Sequence, residues 1–146
     1  MKLYLMRHGL ASSPQDDPQQ GLSPEGRAGI EALAKRLADQ KVQFACIYHS
    51  EKDRARQTAE IMAAITSPQI TPQLRSGLKP NDDPDDWLAE IDTLQEDTLI
   101  TSHLPFVPGL VELLNGVPLD VAFVPGILIC LQKQGSGWQV MWHMAP

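Results

Sequence analysis

Apolar and polar positions fall into short alternating blocks along this chain, and the blocks predict strands and helices in turn. Lys2 to Met6 is an apolar run of strand length. Ala11 to Gly21 is polar and carries Pro14 and Pro18, which predicts a loop. Ser23 has the chemistry of an N-cap, with Pro24 at the first helical position. Ile30, Leu33, Ala34 and Leu37 recur at helical spacing and predict a helix ending near Gln40. Phe44 to His49 predicts a second strand. Ser50 is placed to cap a second helix that runs to about Ile65, with Ala55, Thr58, Ile61, Met62 and Ile65 facing inward.

The chain from Ser67 to Pro84 is rich in Pro and Asp and predicts irregular structure, with a short strand near Gln69 to Thr71. Pro84 to Asp92 predicts a short helix around Trp87, Leu88 and Ile91. Thr98 to Ser102 is a third strand, and Pro105 to Asn115 a helix closed by Gly116. Val121 to Gln132 and Trp138 to Trp142 predict two last strands around a Gly135-Ser136-Gly137 turn. Strands alternating with helices imply a three-layer α/β/α sandwich with a mostly parallel central sheet. A length of 146 residues fits one domain spanning 1–146.

In such sheets, ligands bind beyond the carboxyl ends of the strands. Arg7, His8 and Gly9 follow the first strand, Ser50 and Arg54 the second, and His103 the third. The pattern thus carries two imidazoles and two guanidiniums to one sheet edge. Guanidiniums are permanently charged forks suited to phosphate oxygens. A neutral imidazole is a good nucleophile near neutral pH. Phosphoryl transfer needs mainly positioning and charge stabilisation, so these four groups form a plausible set for it. Gly9 allows the backbone a sharp turn and a close approach.

Leu5-Met6-Arg7-His8-Gly9, then Ser50-x-x-x-Arg54-Ala55-x-Gln57-Thr58-Ala59, then Ser102-His103-Leu104-Pro105 together resemble the histidine phosphatase superfamily, which includes the cofactor-dependent phosphoglycerate mutases. Leu22-Ser23-Pro24-Glu25-Gly26 adds to the likeness, which is greatest to the short phosphohistidine phosphatases of the SixA type. The resemblance implies a phosphoglycerate mutase-like fold and no metal or organic cofactor. It implies that His8 carries the phosphoryl group while Arg7, Arg54 and His103 hold its oxygens, with Gly9, Ser50 and Leu104 at the substrate. Larger members carry a Glu acid in a Leu-Arg-Glu pattern, whereas this chain reads Leu74-Arg75-Ser76 and Leu78-Lys79-Pro80. An alkoxide leaving group needs a proton from such an acid, but an imidazole departs more easily. The expected substrate is therefore phosphohistidine on a protein. Asp16 and Asp17 are the candidate substitutes for the acid.

Composition narrows the alternatives. The net charge is −6, and no Lys/Arg run suggests a nucleic-acid partner. No apolar stretch reaches the length of a signal-peptide core or a membrane span, which points to the cytoplasm. Cys46 and Cys130 lie in predicted strands and read as reduced core thiols. Asp82, Asp83, Asp85 and Asp86 lack calcium-loop spacing, and His49 and His143 belong to no pattern. Two other functions fit the chain: a phosphatase for small phosphomonoesters, and a phosphoprotein-binding module without turnover.

Overall fold

The computed structural model describes residues 1–146. Six strands form one sheet in the order β3-β2-β4-β1-β5-β6. They are β1 (Lys2–Arg7), β2 (Cys46–His49), β3 (Gln73–Leu74), β4 (Thr98–Ser102), β5 (Leu128–Gln134) and β6 (Gly137–Met144). Pairs β2–β3, β2–β4 and β1–β4 are parallel, while β1–β5 and β5–β6 are antiparallel. The mostly parallel sheet is as expected, with an antiparallel hairpin closing one side.

Four helices cover its faces: α1 (Pro24–Asp39), α2 (Asp53–Thr66), α3 (Leu88–Thr93) and α4 (Phe106–Asn115). Alternation along the strands sends side chains to opposite faces. Tyr4, Met6, Ile47 and Leu99 meet Ile30, Leu33, Leu37 and Met62 of α1 and α2. Leu3, Leu5 and Ile100 meet Ile91 of α3 and Phe106, Leu110 and Val111 of α4. Helices on both faces make the three-layer sandwich.

Helix α1 starts where its cap chemistry predicts, with Ser23 Oγ accepting the Gly26 N–H at 3.0 Å. A Cβ on Gly26 would lie 2.0 Å from the Leu10 carbonyl oxygen, so only glycine lets this helix lie against the segment after β1. Helix α4 ends at Gly116, whose left-handed backbone (φ 85°) suits glycine.

Three expectations need correction. Ser50 does not cap α2; Lys52 occupies that position, with no side-chain cap bond, because the Ser50 hydroxyl is engaged elsewhere. The short strand lies at Gln73–Leu74, not at Gln69 to Thr71. The strand expected from Val121 begins at Leu128. Pro125 and Gly126 interrupt that run: proline cannot donate to a ladder, and Gly126 has a φ of 82°.

Candidate active site

Parallel register explains how distant residues meet. Arg7 pairs with Ser102 across β1–β4, and Thr101 pairs with both Met6 and His49. The chain therefore leaves β2, β4 and β1 side by side at the same edge. His103 emerges from the middle strand, between the groups contributed by its neighbours. The His8 and His103 rings lie 5.1 Å apart, tilted by 60°. On the other side, Ser50 Oγ is 2.6 Å from His103 Nε2.

The backbone at His8 is held from both sides. Its N–H donates to the Ser102 carbonyl at 2.9 Å, and its carbonyl accepts the Gly126 N–H at 2.9 Å. Gly9 N–H donates to Thr58 Oγ1 at 3.0 Å, and that hydroxyl donates to the Arg54 carbonyl at 2.7 Å. Thr58 thereby ties the Arg54 turn of α2 to the turn after β1. A Cβ on Gly9 would come 2.8 Å from Ile30 Cγ1, which accounts for the glycine. Gln57 Oε1 accepts the Leu22 N–H at 2.7 Å and anchors the first loop to the same helix.

Hydrogen bonding fixes the proton on His8. Nδ1 lies 2.7 Å from the Gly9 carbonyl oxygen. A carbonyl only accepts, so Nδ1 carries the hydrogen and Nε2 keeps its lone pair. Burial, helped by the Arg54 and Arg7 charges, pulls the imidazole pKa down to about 4. His8 is therefore a neutral base at neutral pH. His103 falls to about 3, through burial first, then repulsion from the His8 ring once that is protonated, and the charges of Arg54, Lys52 and Arg7. Ser50 Oγ accepts weakly from the Lys52 N–H at 3.4 Å. A hydroxyl can donate as well as accept, and where Ser50 donates to His103 Nε2 the imidazole proton sits on Nδ1.

Three buried side-chain nitrogens have no hydrogen-bond partner: Arg7 Nε, His103 Nδ1 and Trp138 Nε1. Two of the three belong to this cluster. Unpaired buried donors are costly and rare in folded chains. Arg7 is further fixed by an NH1 bond to the Phe123 carbonyl at 2.7 Å, and burial lowers its pKa from the ordinary value. Arg54 makes none of the chain's ion pairs. Rigid donors without acceptors, beside a free imidazole lone pair, suit a tetrahedral oxyanion. No group of three or more His, Cys, Asp or Glu side chains is arranged to hold a metal ion.

The remaining expected residues fall outside this cluster. Leu104, directly after His103 in the chain, is exposed. Asp17 spends its two carboxylate oxygens on its own loop, accepting the Gln19 and Gly21 N–H groups at 3.0 and 2.8 Å. Asp16 is exposed and lines a separate hollow of about 610 Å³ with Leu10, Ser23 and Glu25. Arg75 pairs with Glu90 and lies over the Tyr48 and Trp87 rings, at 4.7 and 5.2 Å. His49 is buried, with Nδ1 2.8 Å from the Ser50 carbonyl. Sequence reasoning missed the loop carrying Phe123 and Gly126; the Pro125-Gly126 pair was the available signal. It also missed the tethering roles of Gln57 and Thr58.

Comparison with known proteins shows the family and the fold. The sequence pattern of the histidine phosphatase superfamily (branch 1) matches residues 3–79. The chain belongs to that superfamily. Within it the chain is SixA-like in fold. The protein histidine phosphatase SixA complexed with tungstate superposes with a TM-score of 0.88 at 24% identity, covering 99% of this chain and 97% of that one. A SixA protein from Agrobacterium tumefaciens superposes with a TM-score of 0.82 at 22% identity, with coverages of 99% and 97%. An uncharacterised protein of Picosynechococcus sp. is 39% identical over 84 residues, or 55% of this chain. That match spans half the length of the curated relative.

Proposed function

We propose that this chain is a metal-independent phosphohistidine phosphatase that dephosphorylates a protein through a phospho-His8 intermediate. The observation that carries the reading is the pairing of a free His8 Nε2 lone pair with the partnerless Arg7 Nε and His103 Nδ1. Nε2 attacks phosphorus while the substrate's N–P bond breaks. Arg7, Arg54 and His103 hold the three phosphoryl oxygens as charge spreads over them.

The nature of the leaving group selects the substrate. A phosphohistidine ring protonated on its far nitrogen leaves as a neutral imidazole, and the phospho-His8 ring, with its Nδ1 hydrogen held by Gly9, takes up the same charge. One N–P bond is exchanged for another, and no proton has to be delivered. Water then attacks phosphorus, the His8–phosphorus bond breaks, and dihydrogen phosphate leaves with both of the water's protons. An alkyl ester would instead release an alkoxide, which needs an acid. Neither candidate position for that Glu carries an acid: Ser76 ends Leu74-Arg75-Ser76, with its carbonyl accepting the Trp87 indole N–H at 3.2 Å, and Pro80 ends Leu78-Lys79-Pro80.

A second reading, hydrolysis of a small phosphomonoester, needs an acid beside His8, whereas Asp16 lines a separate hollow and Asp17 is bound to its own loop. Free Cys46 and Cys130 suit a reducing compartment such as the cytoplasm. No helix is long and apolar enough to cross a membrane.

The test offers a phosphohistidine peptide, a phosphoserine peptide and several sugar phosphates to the wild type and to His8→Ala. Turnover of the phosphohistidine peptide alone, with 32P trapped on His8, is the expected result. Broad ester hydrolysis supports the second reading, and binding without turnover supports a phosphoprotein-binding module.

A further inference from the structure

Next to the phosphoryl cluster lies a polar cavity of about 350 Å³, walled by residues 18–20 of the first loop and residues 51–54 at the start of α2. Arg54 belongs to both the cavity and the cluster. Pro18 aside, every wall residue is polar or charged. The two acids in the wall already have cations: Glu51 pairs with Lys79 at 3.8 Å, and Asp53 with Arg56 at 3.2 Å. Lys52 and Arg54 take part in no ion pair. Alternate residues of one turn therefore present two uncompensated cations to one hollow.

The opposite wall is held in place. The Asp17 carboxylate binds the Gln19 and Gly21 N–H groups, and Gln57 binds the Leu22 N–H. These bonds fix the backbone that carries Gln19 and Gln20. Lys52 is also close to the reacting groups. Its backbone N–H reaches Ser50 Oγ, which bonds to His103, and its charge is among those that depress the His103 imidazolium.

We propose that Lys52, facing Gln19 and Gln20 across this cavity, forms a second anion subsite that selects phosphoproteins bearing a carboxylate beside the phosphohistidine. The phosphoryl dianion is taken by Arg7, Arg54 and His103, so Lys52 meets the next negative group outward. An ammonium is a compact point charge without forked geometry, which suits a lone flanking carboxylate. Amide N–H groups add donors for its oxygens, and the polar walls disfavour an apolar side chain. This inference rests on the phosphohistidine reading for its substrate, but not for its charge preference.

The experiment measures kcat/KM on phosphohistidine peptides flanked by Asp, by Ala or by Lys, with phosphoramidate as the unflanked substrate. Wild type is expected to prefer the Asp-flanked peptide, with the preference falling as salt screens it. Lys52→Glu lowers the ratio of Asp-flanked to Lys-flanked turnover about tenfold, chiefly through KM, and Lys52→Ala lowers it by about threefold. Lys35→Glu, the same charge change on the exposed face of α1, leaves the ratio alone. An unchanged ratio in both Lys52 variants overturns the proposal. So does an equal loss on all four substrates, which would assign Lys52 to the phosphoryl group itself. Phosphoserine peptides with the same flanks, and binding of both peptide sets to His8→Ala protein, read the charge preference independently of N–P turnover. Failure of the phosphohistidine reading is thereby distinguishable from failure of the subsite.

Discussion

The ends of β1 and β2 look alike locally and differ in what surrounds them. Each leads into a buried histidine, His8 at 8% and His49 at 6% exposure. Each ring turns Nδ1 to the carbonyl of the next residue, at 2.7 and 2.8 Å. Tautomer and burial are thus shared. His49, however, is the last residue of its strand, paired with Thr101 and Leu74. His8 stands one step beyond its strand, where Arg7, Arg54 and His103 converge on it. The following residues differ as well. Gly9 gives up its side chain so that Ile30 can close in, whereas Ser50 sends its hydroxyl across to His103. Burial and tautomer alone therefore do not distinguish the two imidazoles; the cations gathered around His8 do, and the proposed phosphoryl chemistry depends on them.

Exchanging each histidine gives the largest contrast. His8→Ala is expected to lower kcat/KM on a phosphohistidine peptide by about 10⁴-fold, as loss of a nucleophile does. His49→Ala is expected to leave it within about threefold while lowering thermal stability. Comparable losses from both variants would erase the distinction drawn here.

Acid sharpens the comparison through stability. The folded pKa values of about 4 for His8 and about 3 for His103 lie below the ordinary 6.5. The unfolded chain therefore binds protons between pH 6.5 and 4 that the folded chain refuses. Stability is full above pH 6.5 and falls as the pH drops towards 4, by roughly 3 kcal/mol for His8 alone. Denaturant unfolding at pH 7 and pH 4.5 measures the fall. A His8→Asn/His103→Asn double variant should flatten it, and a slope as steep as the wild type's would assign the effect to other groups.

The two following residues give the smallest effects, of different kinds. Gly9→Ala places a methyl 2.8 Å from Ile30 Cγ1 and should cost about 1–3 kcal/mol of stability. Ser50→Ala should cost about 1–3 kcal/mol of stability by leaving the buried His103 Nε2 unpaired, and reduce kcat about tenfold. A kcat loss with a shifted acid limb of the pH profile identifies Ser50 as a positioning residue; a loss of stability with kcat and the pH profile unchanged would make it merely structural.

Hydrophobic period, cap chemistry and turn residues act over a few neighbours, so the sequence alone predicted α1, β1, β4 and the close of α4 at Gly116. Motif spacing likewise pointed to Arg7, His8, Ser50, Arg54 and His103, because each follows a strand end. It could not show that Ser50 leaves the cap of α2 for His103, that Asp17 turns back on its own loop, or that the Phe123 carbonyl grips Arg7 from 116 residues away. It also could not show that Glu51 and Asp53 find Lys79 and Arg56 and leave Lys52 free. Those outcomes are competitions among partners distant in the chain, and only the folded sheet brings the competitors together.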